Sequence, residues 1–230
     1  MKNVSPENSS IFFETADKTD KIELKKQKSN LRKLMRGKIK EWISSNNLEK
    51  TSLLACEKII SMDEYKKADI LLAYIPMKNE ADCFFTIEAA LKSGKIVAVP
   101  KCGFESDKAE PCGAMDFYIL KKSVPVEAQL EKGSFGIFEP ISSLEKFSLD
   151  LSAESKKSLL ALKIFMIVPC LAFSDDGKRL GKGRGYYDRY FERLENAGLD
   201  VFRCGFCLPC QITGDIPCDE FDRKVDRVVF

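Results

Sequence analysis

Three stretches, read in order, restrict this chain more than any other feature: "DILLAYIP" at 69–76, "DCFFTIEAALKSG" at 82–94 and "KIVAVPKC" at 95–102. The outer two are apolar runs too short for a helix, and the middle one has helical periodicity. Asp82 stands where a side chain caps that helix, and Gly94 where it is closed. A strand, a helix and a second strand in this order pair in parallel, with the helix laid over the sheet.

The alternation continues along the chain. "AMDFYILK" (114–121) and the end of "GSFGIFEP" (133–140) read as short strands, "KIFMIVPCLAFS" (163–174) as a buried one, and "DVFRCGFCLP" (200–209) and "KVDRVVF" (224–230) as two more. A helix is expected from Tyr186 to Ala197. Towards the amino end, Leu24, Leu31, Leu34, Met35, Ile39 and Trp42 recur near helical spacing, which predicts a helix from Ile22 to Asn46. Another helix is expected over Thr51–Ser61, continuing toward Tyr65. Residues 1–20 are polar and unpatterned and are expected to form an unstructured arm, with 21–230 as a single domain. The expected fold class is α/β: three layers, α/β/α, with a mostly parallel, mixed sheet flanked by helices.

Composition limits the function. With 230 residues and 44% hydrophobic content, one large core is affordable. The 37 Lys+Arg against 35 Asp+Glu leave a net charge of +2, so nothing general draws the chain to nucleic acid or to an anionic membrane. The first residues lack the apolar centre of a secretory signal, and the longest apolar run, 164–173, contains proline and is too short to span a bilayer. A cytoplasmic location is the expectation. The nine cysteines then read as free thiols. "CGFCLPC" (204–210) with Cys218 invites a metal reading, but the absence of histidine removes mixed Cys/His zinc sites. Three-residue spacing on a strand also points Cys204 and Cys207 to opposite faces.

Against that near-neutral background, "RLGKGRGYYDRY" (179–190) stands out. It follows a buried strand and opens a helix, the place where open α/β sheets bind ligands. Gly181, Gly183 and Gly185 let backbone N–H groups approach a ligand and allow positive φ. The helix start adds a partial positive charge, and Arg179, Lys182 and Arg184 add cations that grip phosphate. The spacing matches neither a P-loop nor a dinucleotide fingerprint, so the residues point to an anion site for a polyphosphate without saying which. Asp188 suits either a magnesium-bound water or the helix dipole. Tyr186 and Tyr187 suit either stacking on a ligand ring or core packing.

The block 168–194, "VPCLAFSDDGKRLGKGRGYYDRYFERL", closely resembles the signature of the 5-formyltetrahydrofolate cyclo-ligases. Other stretches agree in order: "KQKSNLRKLMRGKI", "YIPMKNEADCFFTIEAALKSGKIVAVPKC", "GSFGIFEP" and "CQITGDIPCDEFDRKVDRVV". The resemblance implies a monomeric cytoplasmic enzyme of one-carbon metabolism, with a fold akin to that of the CoA transferases. It implies use of ATP and Mg²⁺ to cyclise 5-formyltetrahydrofolate, with or without a polyglutamate tail, to 5,10-methenyltetrahydrofolate. A non-catalytic folate- or nucleotide-binding protein is the alternative. By the same likeness Arg179, Lys182 and Arg184 are catalytic, and Lys28, Arg32, Gly181, Gly183, Gly185 and Tyr187 join them at ATP. Met77, Glu80, Asp82, Phe135 and Tyr187 face the folate, with Phe138 in a part similar to that of Phe135, and Asp188 takes the metal. Asp82 is equally readable as a helix cap alone. The likeness departs at Cys170, where glycine is usual, and at Ser174, where aspartate is usual, with Asp175 or Asp176 in place to restore the charge.

Overall fold

Alternate burial along three central strands builds the core. In a computed structural model, which describes residues 7–102, 115–133, 137–149 and 153–230, the chain begins with helices α1 (Glu7–Ser45), α2 (Leu48–Ser61) and α3 (Asp63–Lys67). Strand β1 (Ile70–Leu72), helix α4 (Phe84–Lys92) and strand β2 (Ile96–Cys102) form the expected β–α–β unit. Next come β3 (Met115–Ile119), β4 (Leu130–Lys132), β5 (Phe138–Pro140), α5 (Ala153–Leu160) and β6 (Ile164–Pro169). A small hairpin of β7 (Ala172–Phe173) and β8 (Arg179–Leu180) leads into α6 (Tyr186–Asn196), and β9 (Val201–Phe206) and β10 (Arg227–Val229) close the chain.

The main sheet has the order β10-β9-β6-β1-β2-β3. All neighbours are parallel except β3, which runs antiparallel to β2 at the edge. Strand periodicity divides the apolar residues between two faces. Leu71, Val97, Val99, Phe165 and Ile167 pack with Met35 of α1, Ile59 of α2 and Ile87 of α4. Ile70, Leu72, Ala98, Met166 and Val168 pack instead with Phe117 and with Tyr190, Phe191 and Leu194 of α6. The result is the three-layer α/β/α arrangement expected from the sequence. No helix is long and apolar enough to cross a membrane among the described residues.

Local chemistry ends the helices where the sequence suggested. Gly94 closes α4 at φ 84°, while the N-cap is Cys83, one residue past the expected Asp82, whose Oδ1 accepts the Phe84 N–H at 2.8 Å. Helix α1 starts at Glu7, earlier than expected, so the backbone from 7 to 20 is helical where an unstructured arm was expected. The physical reason is local: no proline or glycine interrupts the chain between Glu7 and Arg36. On α1, Met35 and Ile39 are buried as the periodicity predicts, whereas Leu34 is exposed. Cys204 and Cys207 fall in different clusters on the two faces of the sheet, as their spacing requires. Among the described residues no cluster of ligating side chains is placed to hold a metal ion.

A tight contact beneath the glycine-rich segment gives a stability test. A Cβ placed on Gly205 of β9 would lie 2.6 Å from the Phe173 ring of β7. Gly205→Ala is expected to cost about 1–3 kcal/mol through overpacking, read as a lower urea midpoint with an unchanged slope.

Candidate active site

The chain runs from β1 outward to β2 and β3, then returns to β6 on the other side of β1. Connections leaving the carboxyl ends of β1 and β6 therefore diverge, and a crevice opens between them. A cavity of about 360 Å³ occupies that position. The loop after β1 supplies Tyr74, Met77 and Glu80; β5 supplies Phe138 and Glu139; the β8–α6 segment supplies Arg179, Lys182, Arg184, Tyr187 and Asp188.

The glycine-rich segment is shaped by left-handed backbone at two positions, Gly183 (φ 97°) and Gly185 (φ 65°). Gly181 does not adopt positive φ. Its carbonyl instead accepts the Arg32 Nε at 2.9 Å, and the Arg32 guanidinium leaves little room at Gly183, where a Cβ would be 3.3 Å from its Cζ. Helix α1 thus braces the segment from outside. Gly185 is also the N-cap of α6, so the helix begins at the cavity wall with its amino-terminal N–H groups there.

The cations in the site are not equivalent. Arg184 is exposed, and its guanidinium has no hydrogen bond or ion pair among the described residues. Lys182 Nζ lies 2.5 Å from Glu80 Oε1 and 2.9 Å from Met77 Sδ. Glu80 Oε2 accepts the Met77 N–H at 2.9 Å, which folds the β1 loop around the carboxylate. One ion pair therefore joins the loop after β1 to the glycine-rich segment. Arg179 is buried and bonded to the Asp188 carboxylate. Burial and the nearby Glu80 carboxylate push Tyr187 well above its usual value, so its hydroxyl stays protonated. Its ring packs edge-on against Phe191 at 6.1 Å.

Other expected residues are placed differently. Lys28 is buried outside the cavity, its ammonium 2.8 Å from Asp219 and 2.5 Å from Asp222. It lies one turn from Arg32, so both reach the segments flanking the glycines, but through protein partners. Asp82 is exposed and does not line the cavity; it stands one residue before Cys83, the N-cap of α4, so it is not the cap expected, and its carboxylate accepts the Phe84 N–H from there. Phe135 lies outside the described residues. The turn that departs from the family pattern is repaired by Asp176, whose Oδ1 accepts the Ser174 hydroxyl at 2.5 Å and whose Oδ2 pairs with Lys224 at 2.8 Å. Glu139, Asp219 and Asp222 escaped sequence reasoning. Glu139 accepts the Cys102 N–H at 3.4 Å at the cavity edge, and its only signal was membership of "GIFEP". The two aspartates sit near the carboxyl end, far in sequence from Lys28.

The sequence profile of the 5-formyltetrahydrofolate cyclo-ligase family matches residues 24–230, nearly the whole sheet and both flanking layers. The chain belongs to this family. It is 30% identical over 200 residues to the 5-formyltetrahydrofolate cyclo-ligase of Mus musculus, covering 85% of this chain and 91% of the relative. A probable 5-formyltetrahydrofolate cyclo-ligase of Schizosaccharomyces pombe is 28% identical over 213 residues, covering 88% and 94%. The solution structure of an Aquifex aeolicus 5,10-methenyltetrahydrofolate synthetase superposes with a TM-score of 0.63 at 27% identity, covering 88% of this chain and 89% of that one. This cyclo-ligase family member is accordingly an enzyme.

The Lys28 cluster gives a test with a defined pH signature. Burial alone would raise the Asp219 carboxyl, but the Lys28 ammonium and the Phe221 amide outweigh it and hold the group below its usual value. A carboxyl depressed on folding stabilises the protein above its unfolded value, and that contribution is lost as the pH falls through its folded value. Lys28→Met is expected to cost about 1–3 kcal/mol at pH 7, tempered by solvent at Asp219. The difference from the parent should shrink below about pH 4. Urea unfolding across pH 3–8 checks both the size and the slope.

Proposed function

We propose that this enzyme converts 5-formyltetrahydrofolate and ATP to 5,10-methenyltetrahydrofolate, ADP and phosphate. The supporting observation is the Lys182–Glu80 pair, which brings a phosphate-type cation and a carboxylate suited to pterin N–H donors to one cavity. A reaction in which one substrate phosphorylates the other requires the two sites to touch, because the transferred group has to pass between atoms about 3–3.5 Å apart.

The chemistry follows from the weakness of a formamide as an electrophile. The formyl oxygen attacks the γ-phosphorus, the bond to the β–γ bridging oxygen breaks, and ADP leaves. N10 then attacks the activated carbon and loses its proton. The C–O bond breaks, phosphate departs with the formyl oxygen, and the N5 lone pair completes the methenyl bridge. Arg184, exposed and without a side-chain partner among the described residues, is the cation best able to follow the charge that develops on the transferred phosphoryl group. Lys182 exchanges Glu80 for phosphate, and Glu80 becomes free to accept from the folate. Tyr187, kept protonated, lines the wall between them.

Mg²⁺ fits as a partner of the nucleotide, not as a resident metal. Mg²⁺ is typically held by one or two carboxylates together with phosphate oxygens and waters, and Asp188 is such a carboxylate at the cavity. When bound, it neutralises charge on the polyphosphate. A monomer acting in the cytoplasm accompanies this reading, on the family likeness.

ATP- and Mg²⁺-dependent growth of methenyltetrahydrofolate absorbance tests the proposal. Nucleotide and folate binding without turnover would favour the non-catalytic alternative. Arg184→Ala should lower kcat/KM by about 10²–10³ while leaving the thermal midpoint unchanged, since its side chain has no partner among the described residues.

A further inference from the structure

Arg179 belongs to the same segment as Lys182 and Arg184, yet its surroundings differ from theirs. Its side chain is only 4% exposed. Nε donates to the Arg223 carbonyl at 2.9 Å, one terminal nitrogen bonds Asp188 Oδ1, and the other lies 3.9 Å from Cys170 Sγ. Its Cζ lies over the Phe191 ring, 4.9 Å from the ring centroid. Two edges of this guanidinium are taken by protein oxygens and its face by a ring, so its position is set by the protein before any ligand arrives.

What that fork holds is one oxygen of one carboxylate. Asp188 Oδ1 accepts from Arg179 and also from the Arg223 backbone N–H at 3.2 Å. Oδ2 has no hydrogen-bond partner among the described residues, and Asp188 lines the cavity with a quarter of its side chain exposed. Two donors on one oxygen fix the rotation of the carboxylate. The other oxygen is left as a single acceptor at the cavity, beside the amino end of α6. Arg223 belongs to the C-terminal segment that also carries Asp219 and Asp222, so Lys28 anchors the same support from α1.

We propose that Arg179 is a positioning residue that aims Asp188 Oδ2 at the magnesium–nucleotide complex, and that it does not itself contact ATP. The proposal rests on the nucleotide reading above and assigns the three cations of the glycine-rich segment to two tasks. Arg184 and Lys182 meet phosphate, and Arg179 orients the metal-side carboxylate. Lysine cannot reproduce this, because one ammonium cannot serve the Asp188 carboxylate and the Arg223 carbonyl with the same planar geometry.

The test is a calorimetric titration of a non-hydrolysable ATP analogue into the full-length enzyme, with EDTA and then over a Mg²⁺ series. Arg179→Lys should raise the Mg²⁺ needed for half-maximal binding by about 10–100-fold, the usual loss when a metal ligand's supporting partner is removed. Binding in EDTA should change by no more than about twofold. Asp188→Asn should show the same shift, and the double variant no more than Asp188→Asn alone, because both changes remove one interaction. Arg179→Gln serves if the lysine variant does not fold, since it keeps a planar donor in place of the charge. Weakened binding in EDTA, additive effects in the double variant, or an unmoved Mg²⁺ requirement would each overturn the proposal. A folded parent enzyme that binds no nucleotide under any condition would instead overturn the nucleotide reading itself.

Discussion

Parallel pairing of β1 with β6, Ile70 against Ile164 through Leu72 against Met166, is the constraint on which the rest of this molecule depends. It places a strand made early in the chain beside one made late, so the connections leaving their carboxyl ends turn away from each other. The cavity exists because of that divergence. Shifting either strand by one residue would turn Ile70, Leu72, Ile164 and Met166 to the wrong face of the sheet. The apolar alternation therefore holds the register, and the register holds the site.

Around the cavity, charge is organised locally although the chain is almost neutral overall. Each cation has an environment that decides its use. Arg179 is buried and held by a carboxylate and a backbone carbonyl, Lys28 is held between two aspartates, Lys182 is held by one carboxylate, and Arg184 is unpaired among the described residues. Burial with well-formed bonds makes a cation a fixture, whereas an exposed pair exchanges partners at small cost.

Much of the fold was legible because short-range physics set it. The β1–α4–β2 unit, the close of α4 at Gly94 and the start of α6 after Gly185 all follow from periodicity and capping. The glycine-rich segment was legible as a turn between a strand and a helix for the same reason, with left-handed backbone at Gly183 and Gly185. Lys28 was not: a lysine on the buried stripe of a helix is explained only by Asp219 and Asp222, which are remote in sequence. Asp82 was legible as a residue of the turn into α4, since its bond to the Phe84 N–H is local, although the N-cap itself falls one residue later at Cys83. Glu139 entered the site only because the β5 edge folds over the end of β2.

By itself, then, the sequence determined which segments become strands and helices, which of their faces are apolar, and where a flexible, positively charged turn interrupts them. Those properties depend on neighbours within a turn or a strand. The tertiary structure decided which carboxylate each cation meets, and hence which of three similar cations in one short segment stands without a partner among the described residues. Such pairings are made between elements that the sheet order brings together, and no local pattern encodes them.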